Sequence, residues 1–73
     1  MTKEIQIKDE AQVRRINRLA SEAPYEVWLS SETMLLDARS LLGLFALIGQ
    51  RARVVAEDDV DPKRFNHLVR KMA

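Results

Sequence analysis

Cysteine is absent from this sequence, so neither disulfides nor thiolate metal sites can support the fold, and a reducing cytoplasm is the simplest compartment to expect. Histidine occurs once, at His67, which leaves any histidine-based metal cluster without a second ligand. With only two glycines, Gly43 and Gly49, the chain has no glycine-rich loop to cradle a phosphate, and no nucleophile–base pair stands out; an enzyme is not expected. The aromatics are few, Tyr25, Trp28, Phe45 and Phe65, too few to suggest a surface on which nucleic-acid bases stack. Neither sign of charge dominates, with 12 Lys and Arg against 11 Asp and Glu, so no overall field draws the chain to nucleic acid or an anionic membrane. The longest hydrophobic run, Leu41 to Ile48, falls well short of the roughly 18 residues of a membrane-spanning helix. The first ten residues are polar, so no signal peptide is expected.

What remains is a 73-residue chain that reads as a single domain over 1–73, near the size at which folding buries only about 60% of the unfolded surface. Lys3 to Lys8 alternates polar and apolar residues with Ile5 and Ile7 on one side, which predicts a half-exposed strand. Asp9 is placed to cap a first helix, Glu10 suits its positive end, and Val13, Ile16, Leu19, Ala20 and Ala23 recur at helical spacing until Pro24 stops it. Tyr25, Val27 and Leu29 then alternate with Glu26, Trp28 and Ser30, a second strand with its aliphatics inward and the indole outward or at an edge. A turn at Ser30-Ser31-Glu32 leads to a third strand, Thr33 to Asp37, whose register is blurred by the run Met34-Leu35-Leu36.

Ser40 is a candidate N-cap for a second helix, its oxygen able to accept from an amide near Leu42 or Gly43. On that helix Leu41, Leu44, Phe45 and Ile48 share one stripe, which leaves Leu42 and partly Ala46 pointing outward. Gly49 supplies the exit, Ala52 to Glu57 a valine-rich fourth strand, and Asp61-Pro62 opens a last helix with Phe65, Leu68, Val69 and Met72 as its inner stripe. The order is β-α-β-β-α-β-α. One apolar face per element calls for an α+β fold of two layers, with the helices stacked on one face of an antiparallel sheet.

The stretch Arg39-Ser40-Leu41-Leu42-Gly43, a basic residue, a serine, two aliphatics and a glycine at a helix start, resembles the histidine-containing phosphocarrier (HPr) family of the bacterial sugar phosphotransferase system. The likeness in element order runs from Lys3 to Met72. It implies an open-faced sandwich whose four strands lie in the order 1-4-2-3 with three helices on one face. It also makes Ser40 the regulatory serine, a possible phosphorylation site for an HPr-type kinase. The family's phosphorylated histidine lies between first strand and first helix, within a motif of glycine, aliphatic, histidine, small residue, arginine and proline. The ungapped match to that motif is Glu10 to Arg15, which puts Gln12 at the histidine position and keeps only the arginine, Arg14.

A glutamine amide nitrogen is delocalised into its carbonyl and is not nucleophilic, whereas an imidazole nitrogen has a free lone pair at neutral pH. Ordinary histidine phosphotransfer is therefore not expected, and a glutamine there is similar to the Crh type, a regulatory relative of HPr. His67 lies about 200° around the last helix from Phe65 and reads as a solvated surface residue. The resemblance implies partner contacts through Arg14, Arg15 and Arg18 together with Leu41, Leu42 and Phe45, since the family brings these two regions to one surface. Expected partners are phosphotransferase components, an HPr-type kinase or a transcriptional regulator; no cofactor and no metal are expected. The alternatives are a small nucleic-acid-binding domain using its basic helices, and a phosphocarrier with an unusual acceptor.

Overall fold

The computed structural model describes all 73 residues. Strand β1 (Thr2–Gln6) is followed by helix α1 (Glu10–Glu22), strands β2 (Trp28–Ser30) and β3 (Leu35–Asp37), helix α2 (Leu41–Phe45), strand β4 (Arg51–Val55) and helix α3 (Pro62–Met72). The sheet order is β1-β4-β2-β3, as the resemblance implies, and every neighbouring pair is antiparallel. Ile5, Ala52, Val54 and Leu29 face the helices and are buried, while Glu4, Arg53 and Ser30 form a row across the open face of the sheet. The alternation read from the sequence is thus the two-sidedness of a sheet covered on one face only.

Local chemistry explains the starts of two helices. Asp9 has extended backbone and its carboxylate accepts from the Gln12 amide at 2.9 Å, and the Asp61 carboxylate accepts from the Lys63 amide at 3.2 Å with Pro62 at the first helical position. Between the sheet and the helices lie Val13, Ile16, Leu19, Leu44, Phe65, Val69 and Met72, part of a core of 17 buried apolar residues. In a core this small, each large side chain carries about 1.5 to 3 kcal/mol of burial.

The second strand is shorter than expected, Trp28–Ser30 rather than Tyr25–Ser30, and two further expectations need correction. The third strand is Leu35–Asp37 rather than Thr33–Asp37, because the Ser31 amide donates to the Met34 carbonyl at 2.8 Å and the Ser31 hydroxyl accepts from the Met34 amide, closing a turn over residues 31–34. The second helix is a single α turn, after which Leu47 donates to Leu44 at 3.0 Å and Ile48 to Phe45 at 3.3 Å, bonds three residues back. A three-residue period lines up Leu41, Leu44 and Leu47. Leu47 is therefore fully buried and Ile48 turns outward to 37% exposure, the reverse of the stripe drawn at 3.6 residues per turn. Gly49, at φ 91°, then makes the left-handed exit, and its amide donates to Ile7 at 2.8 Å to extend the β1–β4 ladder.

Candidate functional site: the α1 amino end and the α2 turn

Gln12 is the third residue of α1, in its first turn, and is 2% exposed. Its carbonyl accepts from the Lys8 amide at 2.7 Å, and its amide nitrogen donates to the Gln6 carbonyl at 2.9 Å and to the Met72 carbonyl at 3.1 Å. The side chain thus ties the β1–α1 loop to the end of α3. A group so enclosed presents nothing to a partner, and Gln12 is removed from the exposed docking surface.

The three arginines of α1 go separate ways. Arg14 is exposed, paired with Glu10 at 2.9 Å, and its guanidinium lies 5.6 Å from the centre of the Phe45 ring on α2. Arg18, four residues on and along the same edge of the helix, approaches Glu22 at 3.9 Å. Arg15 leaves this surface: it turns toward α3 and donates to the Lys71 carbonyl at 3.0 Å, with longer bonds of 3.5 Å to Met72 and Ala73. Successive helical residues are 100° apart, so Arg14 and Arg15 cannot serve one face, and the expected cluster of three is a pair plus a helix cap.

Ser40 stands at the N-cap of α2 and is exposed, but its hydroxyl makes no capping bond. Its backbone, at ψ 95° against the 175° of Asp9, differs from that of the cap that does form a bond. The Oγ lies over Gly43, 3.3 Å from where a Cβ would sit, with the Leu36 methyls at 3.4 and 3.5 Å from the same point. A methyl at 43 would be tight against these two side chains, which would have to give by a few tenths of an ångström. Leu41 and Phe45 are half-buried against the core, whereas Leu42 is 85% exposed. Arg39, which precedes Ser40, is held by Asp37 at 2.7 Å with Glu26 at 3.7 Å. Its guanidinium and backbone amide together lower the Asp37 carboxyl to about 2. His67 is exposed on α3.

The sequence carried a signal for some of these roles and none for others. Gln12 falls on the inner face of α1 by spacing, which was the available signal that its amide is buried. Asp37-x-Arg39 carries the signature of an Asx turn, realised as the Arg39 amide donating to Asp37 at 2.9 Å. Nothing local marked Arg15 as the cap of a helix more than fifty residues away.

No protein-family model matches this chain, and no curated protein matches its sequence. Solved structures do match. HPr-C-His from Thermoanaerobacter tengcongensis superposes with a TM-score of 0.75 at 20% identity, over 99% of this chain and 90% of that one. The phosphocarrier protein HPr from Bacillus anthracis str. Ames superposes with a TM-score of 0.73 at 13% identity, over 97% and 94%. The fold is the HPr fold. At such identities the likeness speaks for the architecture, and within this HPr fold the site residues must speak for themselves. Arg14, Phe45, Leu41, Leu42 and Ser40 belong to the α1 and α2 elements joined by the Arg14–Phe45 contact; Gln12 is beneath them and Arg15 behind. No helix is long and apolar enough to cross a membrane.

Proposed function

We propose that this chain is a regulatory or interaction protein related to the phosphotransferase system, a cytoplasmic module that is recognised by protein partners and does not pass phosphate through histidine. The observation that carries the reading is the state of Gln12. At the amino end of α1, where the resemblance implies a reactive imidazole, stands an amide whose oxygen and nitrogen are already committed to three backbone groups. The only imidazole, His67, is on α3. Partners grip the Arg14 and Arg18 edge of α1 together with Leu41, Leu42 and Phe45, where a cation borders exposed apolar surface.

Ser40 is the proposed switch. Its hydroxyl is exposed and free of a capping role, and the first amides of α2 have no intrahelical acceptor, so phosphate oxygens would find donors there. An added charge of about −2 beside Leu42 would turn an apolar docking patch into one suited to an arginine-bearing partner such as a kinase-controlled transcriptional regulator. The experiment has two arms. Incubation with enzyme I of the phosphotransferase system is expected to leave no acid-labile label, and label there overturns the histidine-free reading. Incubation with an HPr-type serine kinase is expected to add the mass of one phosphate to the wild type and none to Ser40→Ala; an unmodified wild type, or a modified variant, rejects the switch.

A further inference from the structure

Helix α3 contains four Lys and Arg, one His and no acidic residue. Arg70 and Lys71 lie in its last turn, where the helix dipole favours cations, but Lys63 and Arg64 lie in its first turn, where it does not. None of the four has a carboxylate within ion-pair distance, in contrast to Arg14 and Arg18, which each have a glutamate on their own helix. Lys63 and Arg64 thus lie against the local dipole with no ion pair to offset it, a charge open to an anionic partner.

Two of these cations, with His67, border one cleft. Between the carboxyl end of α1 and the outer flank of α3 is a hollow of about 150 Å³ with Leu19, Ala23, Pro24 and Leu68 among its apolar surfaces and Tyr25 at one end. Arg64, His67 and Lys71 complete its lining, and no carboxylate contributes to it. Tyr25 and Arg64 line this hollow together; burial raises the Tyr25 hydroxyl above its ordinary value and the Arg64 charge opposes the change.

We propose that this α1–α3 cleft binds a short acidic segment of a partner protein, one apolar side chain entering the hollow while flanking carboxylates meet Arg64 and Lys71. The two cations are seven residues apart on the helix, about 10 Å along its axis, the reach of roughly three residues of extended chain. Carboxylates at i and i+4 with an aliphatic at i+2 share one face of an extended chain, and the long side chains of Arg64 and Lys71 take up the difference in span. A long polyanion fits less well, because Asp59 and Asp61 line the adjoining hollow beyond Tyr25 and Arg64 and repel charge that runs past the cleft. This surface is separate from the Arg14 and α2 surface, so the two readings fail independently.

The test is a titration of the ¹⁵N-labelled protein with acetyl-Glu-Ser-Leu-Ser-Glu-amide, followed by amide chemical shifts. Saturable changes are expected at Ala23, Tyr25, Leu68 and Lys71, with about tenfold weaker binding for the peptide carrying lysines in place of the glutamates and for the one with alanine in place of leucine. Arg64→Gln combined with Lys71→Gln is expected to lose binding by a similar factor while keeping the wild-type urea midpoint and core shifts. The charge reversal Lys71→Glu gives a second reading should the double variant unfold. The proposal is overturned by absence of saturable shifts, by equal response to the lysine peptide, by shifts centred on α2, or by a single-stranded oligonucleotide that displaces the peptide at lower concentration.

Discussion

Replacing Gln12 by alanine removes one buried amide and strands three backbone groups from different parts of the chain: the Lys8 amide, the Gln6 carbonyl and the Met72 carbonyl. Each such bond contributes about 0.5 to 1.5 kcal/mol net, and groups left buried without partners add to the loss. The longer Arg15 bond to Met72, at 3.5 Å, recovers little. The expected cost is about 2 to 4 kcal/mol. A 73-residue domain has about 4 to 11 kcal/mol in all, so this one side chain holds a large share of the fold's margin. Urea unfolding followed by circular dichroism should show the midpoint falling by roughly 2 M or more, and thermal unfolding should show a drop of about 10 to 25 °C.

The isosteric change Gln12→Glu separates hydrogen-bond chemistry from volume. Its oxygen still accepts from Lys8, but a carboxylate facing two carbonyl oxygens is repelled, which raises its folded pKa above the unfolded value of about 4.3. A carboxyl of raised pKa contributes stability below the unfolded pKa and loses it as pH rises through the folded value. Near pH 4 the protonated carboxyl donates to only one of the two carbonyls, so the variant should fall short of wild type by about one hydrogen bond there, about 1 kcal/mol, and be clearly weaker at pH 7. A cost below about 1 kcal/mol for Gln12→Ala, or a Gln12→Glu variant whose deficit does not change with pH, would refute the argument that Gln12 is a structural tie.

Arg15→Met keeps the aliphatic stem and removes the bonds to the last carbonyls of α3. It should cost about 1 kcal/mol and speed hydrogen exchange at the end of that helix, with exchange in α2 unchanged. Gly49→Ala meets no steric obstacle, since nothing lies within 4 Å of the added methyl, so its cost of about 1 to 2 kcal/mol is backbone strain at φ 91° alone. A loss of more than twice that in chemical denaturation would point to a packing role instead. Asp37, lowered to about 2 by Arg39, contributes stability that is present above its unfolded pKa of about 3.9 and is lost as pH falls through about 2. Because the pair is exposed, the effect stays within about 1 kcal/mol, and Asp37→Asn should remove that part of the acid dependence in a denaturation series across pH 2 to about 5.

Much of the architecture was legible because periodicity and capping are local. Asp9, Asp61 and Pro62 announced two helices by the chemistry of unpaired amides, and alternation placed Ile5, Ile7, Val27 and Leu29 inward. The second helix misled for an equally physical reason. Its apolar residues fit a period of 3.6, but after one turn the backbone tightens to a period of three, and the burial of Leu47 against the exposure of Ile48 follows from that change alone. Of the proposed docking residues, Leu42 is outward as its helical spacing predicts, whereas Arg15, grouped with Arg14 and Arg18 by the family resemblance, turns instead to the end of α3.

By itself the sequence determined the order of elements, the inward face of most of them, the helix starts, and the lack of an imidazole before α1. All of these depend on residues within a few positions of one another. Only the tertiary structure decided that Gln12 is a buried tie, that Arg15 closes α3 and that Arg14 lies over Phe45. Gln12 and Met72 are 60 positions apart, and Arg15 and Lys71 are 56 apart. Which polar groups meet at that separation is set by how the helices lie on the sheet, a property no local pattern encodes.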